Sequence, residues 1–186
     1  LGPVFPEAVQ PTIALMRSAP VRLAAIDALG RIGPGAKDAA PALAEIINGK
    51  VKEERVHALA AVARIGSAAK ETAGPALTAA CKDEDAAVRA AAIAAVAQIE
   101  ADPAARLVAL SSGFDDPEIS VRQAAADTVG QLGEKAADAA PKLVSLLSKQ
   151  SDRAFALATL QQLPIRSVPA LVELLGSPER EVKLLA

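Results

Sequence analysis

Apolar residues recur along this chain with the spacing of amphipathic helices. On a helical wheel drawn at about 100° per residue, five apolar residues of the segment 21–33 fall in one arc of roughly 140°: Val21, Ala25, Ile26, Leu29 and Ile32. Asp27 and Arg31 fall on the opposite side of the wheel. The pattern predicts a helix with one buried and one solvated face. No stretch alternates as a half-buried strand would, so we expect an all-α chain of about twelve helices.

The same pattern returns at a regular interval. Segment 21–33 recurs as 121–133, two more copies begin at Glu54 and Val88, and looser copies begin at Asp152 and Val182. The basic residues of these copies form one column, spaced by 30 to 34 residues: Arg22, Arg55, Arg89, Arg122, Arg153 and Lys183. A fixed period of this length indicates a repeat architecture.

A second element follows each copy, and it begins with the pattern Pro-x-Leu. It occupies 41–47, 75–77, 141–147 and 169–175. Leucine two residues after the proline, with apolar residues at the fifth and sixth positions, has helical spacing. Each unit is therefore predicted to contain two helices, A and B, joined by a loop. Gly33, Gly66 and Gly133 stand where the end of helix A needs a left-handed residue.

Composition narrows the possible functions. The chain of 186 residues is 52% apolar, and 20 Lys and Arg against 22 Asp and Glu give a net charge of −2. Such a balance provides no field to recruit nucleic acid or an anionic membrane. Cys81 is the one cysteine and cannot form an internal disulfide, which is compatible with a cytoplasmic location but leaves the localisation open.

These residues resemble the HEAT repeats, and most closely the short bacterial variety also found in bilin-lyase subunits. The shared pattern is V-R-x-A-A-x-x-A-L-G-x-I-G, then a loop, then P-x-L, and it covers about residues 5 to 186. It weakens in the third unit, where Glu100 replaces the glycine and Ala105 the proline. The resemblance implies an all-α, right-handed α-α superhelix, or solenoid, of two-helix repeats.

The repeats divide the chain as one solenoid spanning 1–186. We predict a partial repeat at 1–18, full repeats at about 19–50, 51–84, 85–114, 115–150 and 151–176, and a partial repeat at 177–186. Polar capping repeats are missing at both ends, so we expect the chain to be part of a longer HEAT-repeat protein. The apolar runs fall short of the length of a membrane span, and neither a signal peptide nor membrane insertion is expected for this segment.

The arginine column lies inside the apolar arc of helix A, which is unusual for a charge. We interpret Arg22, Arg55, Arg89, Arg122 and Arg153 as a structural ladder. In it, each guanidinium bonds helix-end carbonyls or acids such as Asp83, Asp85 and Asp116. The resemblance implies such a buried ladder between repeats. A row that binds phosphate is the alternative.

The remaining polar residues predict no chemistry. His57 is the one histidine and is expected on the outer face beside Arg64, while Cys81 falls in an apolar column of its B helix. The acidic run 82–85 lacks the glycine and closing glutamate of a calcium loop. We therefore expect no catalytic, cofactor-binding or metal-binding residues, and no enzyme.

The leading hypothesis is a non-catalytic scaffold that binds one or more partner proteins. The alternative is an accessory solenoid subunit of an enzyme or lyase complex, which rests on the resemblance. Nucleic-acid binding is disfavoured because Trp and Tyr are absent and the net charge is negative.

The resemblance also implies that the B helices line a concave face. Its candidate contact residues are Thr12, Ala42, Glu45, Ala79, Arg106, Lys142, Ser145 and Glu173. The competing interpretation is that these small side chains only permit tight curvature or contact with another part of the same protein.

Overall fold

The computed structural model describes residues 6–163. Within that range the chain forms ten α-helices: α1 (Val9–Leu15), α2 (Arg22–Ile32), α3 (Ala40–Ile47), α4 (Lys52–Ile65), α5 (Lys70–Ala80), α6 (Ala86–Ile99), α7 (Pro103–Phe114), α8 (Ile119–Leu132), α9 (Ala140–Leu146) and α10 (Arg153–Gln162). The stretch 6–163 contains no strand, so the all-α prediction is confirmed there. The B helix predicted at 169–175 and the A helix predicted from 177 lie outside the described residues.

Even-numbered helices correspond to the predicted A elements and odd-numbered helices to the predicted B elements. The contacts divide the chain into two compact units, Leu1–Ala101 and Asp102–Ala186. The boundary falls between α6 and α7, the two helices of the predicted third repeat. A single solenoid over 1–186 stays a prediction.

In the first unit, α2, α4 and α6 pack side by side as one layer, and α3 packs beside α5 in a second layer. The layers are joined where α3 contacts α4 and α5 contacts α6. Leucine and isoleucine side chains from both layers fill the space between them and are at most 1% exposed: Ile26, Leu29, Leu43, Ile47, Leu59, Ile65 and Leu77. Burial of these apolar side chains is the main force that holds neighbouring repeats together.

The second unit repeats this arrangement with fewer described helices. α7 packs against α8, α8 against α10, and α9 against α10. Its core contains Leu110, Phe114, Val121, Val129 and Leu143, each at most 1% exposed.

The turn from helix A to helix B begins at a glycine. Gly33, Gly66 and Gly133 have φ of 70°, 79° and 54°, so the predicted positive φ is confirmed. Their ψ values are −137°, −155° and −122°, however, and not the positive ψ of a left-handed helical cap. This part of the backbone map is open almost only to glycine. Each glycine then starts a 3₁₀-helix where a loop was predicted, at Gly33–Ala39, Gly66–Ala69 and Gly133–Ala139.

The third repeat turns differently. Glu100 replaces the glycine and adopts an extended conformation with φ −75° and ψ 119°, which a residue with a side chain reaches without strain. No 3₁₀-helix follows it, and Asp102 instead caps α7 by accepting hydrogen bonds from the backbone N–H groups of Ala104 and Ala105. The weak match of this repeat to the sequence pattern thus corresponds to a different turn.

Candidate protein-binding surface and the arginine ladder

Arg22, Arg55 and Arg153 bond the end of the preceding B helix. The Nε atoms of Arg22, Arg55 and Arg153 donate to the carbonyls of Met16, Ile47 and Leu147 at 2.6, 2.7 and 2.8 Å, respectively. The last carbonyls of a helix lack partners within the helix and carry partial negative charge. These arginines therefore link the end of a B helix to the start of the following A helix.

Arg89 and Arg122 also donate to backbone carbonyls, but these carbonyls lie in the turn between the B helix and the next A helix. Arg89 Nη1 donates to the carbonyls of Asp83 and Glu84 at 2.8 and 3.0 Å. Arg122 Nη1 donates to the carbonyls of Asp116 and Pro117 at 2.9 and 2.8 Å. Both therefore bond the turn that follows a B helix.

Arg22, Arg55 and Arg122 also bind an acid that lies at or beyond the end of their own repeat. Arg22 Nη1 lies 2.8 Å from Glu54 Oε1, and Arg55 Nη2 bonds the carboxylate of Asp83. The hydrogen bond from Arg55 is the main reason that the pKa of Asp83 lies below its usual value. The Arg22 pair therefore connects consecutive repeats, and the Arg55 pair connects α4 to the turn that leads into the next repeat.

The pair between Arg122 and Asp152 is the most buried of these. Arg122 Nε and Nη2 donate to the two carboxylate oxygens of Asp152 at 2.6 and 2.9 Å, and Asp152 is 0% exposed. This hydrogen-bonded pairing lowers the pKa of Asp152 and raises that of Arg122. Ser151 Oγ donates a further hydrogen bond to Asp152 at 2.8 Å.

These contacts bear on the two interpretations of the column. The guanidiniums of Arg22, Arg55 and Arg122 direct donors at both backbone carbonyls and carboxylates of the protein itself. Donors used in this way are not free for phosphate. The geometry therefore favours a structural ladder over a phosphate-binding row.

The acidic run 82–85 serves as a turn and a helix cap. Asp85 accepts hydrogen bonds from the backbone N–H groups of Ala87 and Val88 at the start of α6, and its carboxylate lies 2.8 Å from Lys52 Nζ. The hydrogen bond from Lys52 is the main cause that lowers the pKa of Asp85. Across residues 6–163, no group of three or more His, Cys, Asp or Glu side chains could hold a metal ion.

Cys81 is half-buried at the end of α5. Burial raises the pKa of its thiol to about 11, because the surroundings disfavour the thiolate. A thiol of this kind is protonated at neutral pH and is a poor nucleophile.

The B-helix residues proposed for partner binding differ in exposure. Glu45, Ala79 and Ser145 are exposed, whereas Thr12, Ala42 and Lys142 are half-buried. Lys142 Nζ lies 3.1 Å from the carboxylate of Asp115. Glu173 lies outside the described residues.

The prediction that Arg106 belongs to the partner-binding face is wrong, because its side chain is buried. It is 7% exposed, and its Nη1 donates to the carbonyl of Lys135 at 2.7 Å. Counted from the proline column, Arg106 lies at +1, about 90° from the centre of the buried arc, so it points toward the neighbouring helix. Positions 0 and +4 lie about 170° and 150° from that centre.

The most outward residues of the B helices are therefore at positions 0 and +4. On α3, α5 and α9 these residues are all exposed, and we call them the outward stripe: Pro41 and Glu45, Pro75 and Ala79, and Pro141 and Ser145. Ala105 and Ala109, at the same positions of α7, are half-buried. Because α3 and α5 pack side by side, the stripe passes from one B helix to the next within the first unit.

Two family models match most of the repeats described above. The model for HEAT repeats matches residues 75–164, and the model for the PBS lyase HEAT-like repeat matches residues 21–49. This chain belongs to the HEAT-repeat family. Its A and B elements are the two helices of HEAT repeats, as the sequence pattern predicted.

The chain is also similar to several solved structures. The chain matches a structure titled as the complex of CpcE and CpcF of phycocyanin lyase from Nostoc sp. PCC7120. The identity is 27%, the match covers 80% of this chain and 95% of that one, and the TM-score is 0.50. It also matches an engineered protein at 19% identity, over 96% of this chain and 93% of that one, with a TM-score of 0.55. A computationally designed armadillo repeat protein for modular peptide recognition matches at 20% identity, over 97% and 95% of the two chains, with a TM-score of 0.48.

None of the curated proteins matches this HEAT-repeat chain significantly. In the range 6–163, no helix is both long and apolar enough to cross a membrane.

The sequence pattern did not reveal the roles of the acids Glu54 and Asp152 or the contact between His57 and Asp27. Glu54 and Asp152 each directly precede the next arginine of the column, and each accepts from the arginine of the repeat before it. His57 was expected to be solvated, but it is half-buried, with its Nδ1 2.8 Å from Asp27 Oδ1. For Glu54 and Asp152, the available signal was an acid directly followed by arginine at the start of helix A.

Proposed function

We propose that this chain is a non-catalytic scaffold for protein–protein interaction, and that it binds its partner along the outward stripe. The observation that supports this is a contrast between the charged groups at the start of the A helices and the exposed residues of the B helices. The charged groups that start the A helices are bonded within the protein, whereas the stripe on the B helices is exposed and carries one charge, at Glu45.

The chemistry of the stripe suits another protein chain. Prolines and small side chains let a second backbone approach closely, and they cost little conformational entropy when they are covered. They also lack the large aromatic and arginine anchors that concentrate binding energy at a few residues. We therefore expect binding through a long contact over several repeats, or modest affinity over a short one.

The test requires a partner, which we would isolate by capture on the immobilised chain from an extract of its source. The test variant carries Ala79→Arg and Ser145→Arg, one in each unit, on exposed positions of the stripe. The matched control carries Ala87→Arg and Gln123→Arg, which are exposed positions of A helices and add the same charge. We expect the stripe variant to lose at least about tenfold in affinity, since each new arginine must be accommodated or desolvated in the contact.

The control should bind like the unmodified chain. Loss of binding in the control with full binding in the stripe variant would contradict the proposal. Circular dichroism of both variants would verify that the helices remain.

A second candidate is an accessory solenoid subunit of an enzyme or lyase complex. It is favoured by the 27% identity to the phycocyanin lyase structure and by the match of residues 21–49 to the PBS lyase HEAT-like repeat. The two candidates differ in what co-purifies. A catalytic subunit in stoichiometric amount, or a coloured preparation, would favour the second, and a partner without enzymatic activity the first.

A further inference from the structure

A groove lies between the A helices α2 and α4, away from the outward stripe. Its volume is about 320 Å³, and its lining residues are Asp27, Arg31, Val56, His57, Ala60 and Arg64. This volume is near the lower limit of ordinary ligand sites and is enough for a few side chains.

Close contact between α2 and α4 places Arg31 and Arg64 on the lining of the same groove. Arg31 and Arg64 are both exposed and occupy the same position of consecutive A helices. A β-carbon at Gly30 would lie only 3.0 Å from the Cα of Ala61, so the glycine allows α2 and α4 to approach here. The same β-carbon would lie 3.6 Å from Cδ of Arg64, so the side chain of Arg64 lies against α2 at the residue before Arg31.

Neither guanidinium is neutralised by a protein contact. Among residues 6–163, Arg31 and Arg64 make no hydrogen bond and no ion pair, in contrast to the arginines of the ladder. Neighbouring like charges repel, so the groove favours an anion between them. Their rigid, forked donors match the two oxygens of a carboxylate.

The carboxylate of Asp27, which also lines the groove, does not neutralise the charge of both arginines. Asp27 uses its Oδ1 to bond His57 Nδ1 at 2.8 Å, and the two side chains are 42% and 35% exposed. With two arginines and one carboxylate, the groove keeps a net positive charge. Val56 and Ala60 provide the apolar surface that the stem of an acidic side chain would cover.

We infer that this groove binds carboxylates of an acidic segment, rich in Glu or Asp, of a partner protein. The site is separate from the outward stripe and does not depend on the stripe being used. It therefore goes beyond the proposed function by adding a second contact of defined chemistry on the opposite helices.

The probe for this site is a hexaglutamate peptide, titrated into the ¹⁵N-labelled full chain and followed by NMR. We expect shift changes in the backbone amides of the lining residues, and in the Nε–H resonances of Arg31 and Arg64. The effect should weaken as salt is raised, because exposed charge pairs are screened. Hexaglutamine should produce no such changes.

Two variants with the same loss of charge decide whether the effect is local. Arg31→Gln with Arg64→Gln should weaken hexaglutamate binding by a factor between about 2 and 30, since two exposed charge pairs are lost. Glutamine is the residue that α6 carries at the equivalent position, Gln98, so the fold should tolerate it. Arg17→Gln with Lys50→Gln, at exposed positions outside the groove, should leave the binding unchanged.

Three results would overturn the inference. They are shift changes spread evenly over all exposed basic residues, an equal loss of affinity in both double variants, or equal binding of inorganic phosphate at the same concentration. The last would show a site for a small anion and not for an acidic segment. None of these results bears on the outward stripe.

Discussion

Replacement of Arg122 by alanine should destabilise this chain more than the removal of an exposed arginine. Arg122 is 8% exposed and donates to both carboxylate oxygens of Asp152 and to the carbonyls of Asp116 and Pro117. Without it, the carboxylate of Asp152, which is 0% exposed, retains the Ser151 hydroxyl as its side-chain partner. The substitution therefore leaves a buried charge without its counter-ion.

The expected cost follows from burial. Removal of one partner of a buried pair costs about 3–5 kcal/mol, whereas an exposed charge contributes about 0–1 kcal/mol. Arg31→Ala and Arg64→Ala are the matched controls, because both side chains are exposed and make no ion pair among residues 6–163. With urea slopes of about 1–3 kcal/mol per molar, the Arg122→Ala midpoint should fall by about 1 M or more.

The pH dependence gives a second signature. In the folded chain the pKa of Asp152 is lowered, chiefly by the hydrogen bond from Arg122. The pair therefore stabilises the fold above the unfolded pKa of about 3.9, and this contribution is lost as the pH falls through the lower folded value. The difference between the unmodified chain and Arg122→Ala should be large at pH 7 and should shrink as the pH falls to about 4 and below.

Urea unfolding followed by far-UV circular dichroism measures these differences. Arg122→Ala with Asp152→Ala should be less destabilised than the sum of the two single variants, because the double variant contains no unpaired charge. Equal urea midpoints for Arg122→Ala, Arg31→Ala and Arg64→Ala at pH 7 would refute the ladder as a stabilising feature.

Three further predictions concern glycines and the thiol. Gly66→Ala should cost about 1–3 kcal/mol in urea unfolding, because a φ of 79° strains any side chain, although nothing lies within 4 Å of an added β-carbon. The control is Gly74→Ala in helix α5, where an added β-carbon also meets nothing within 4 Å. This variant should be neutral or stabilising by up to about 1 kcal/mol. Gly30→Ala should lower the midpoint through its 3.0 Å approach to Ala61 Cα, and an unchanged midpoint would show that α2 and α4 can separate freely. Cys81 should react with Ellman's reagent at pH 8 far more slowly in the native chain than in urea, since its pKa is about 11; equal rates would contradict the burial.

Much of the fold could be predicted because the same constraint returns in every repeat. The glycine column marks the A-to-B turn, since its backbone conformation excludes other residues, and Glu100 marks the repeat where that turn changes. The helical period locates the buried leucines after each proline. Such features depend on neighbours within one repeat, so the sequence displays them directly.

The partners of the ladder could be predicted less well. Arg22 and Glu54 are 32 residues apart, Arg55 and Asp83 are 28 apart, and only the stacking of helices decides which acid each arginine meets. A finer reading of the helical period would have separated Arg106 at +1 from the exposed residues at +4. The pairing of His57 with Asp27 was hidden for a related reason, because it crosses between adjacent A helices.

The most direct test of the scaffold function is an NMR map of the partner's footprint on the ¹⁵N-labelled chain. Once the captured partner is added, we predict that amide shift changes concentrate along the B helices, around residues 41–48, 75–79 and 141–145. Additional changes in the groove between α2 and α4 would agree with the acidic-segment site. Binding that leaves the amides of all three B-helix segments unchanged would contradict the account, as would a chain that captures no protein from the extract of its source.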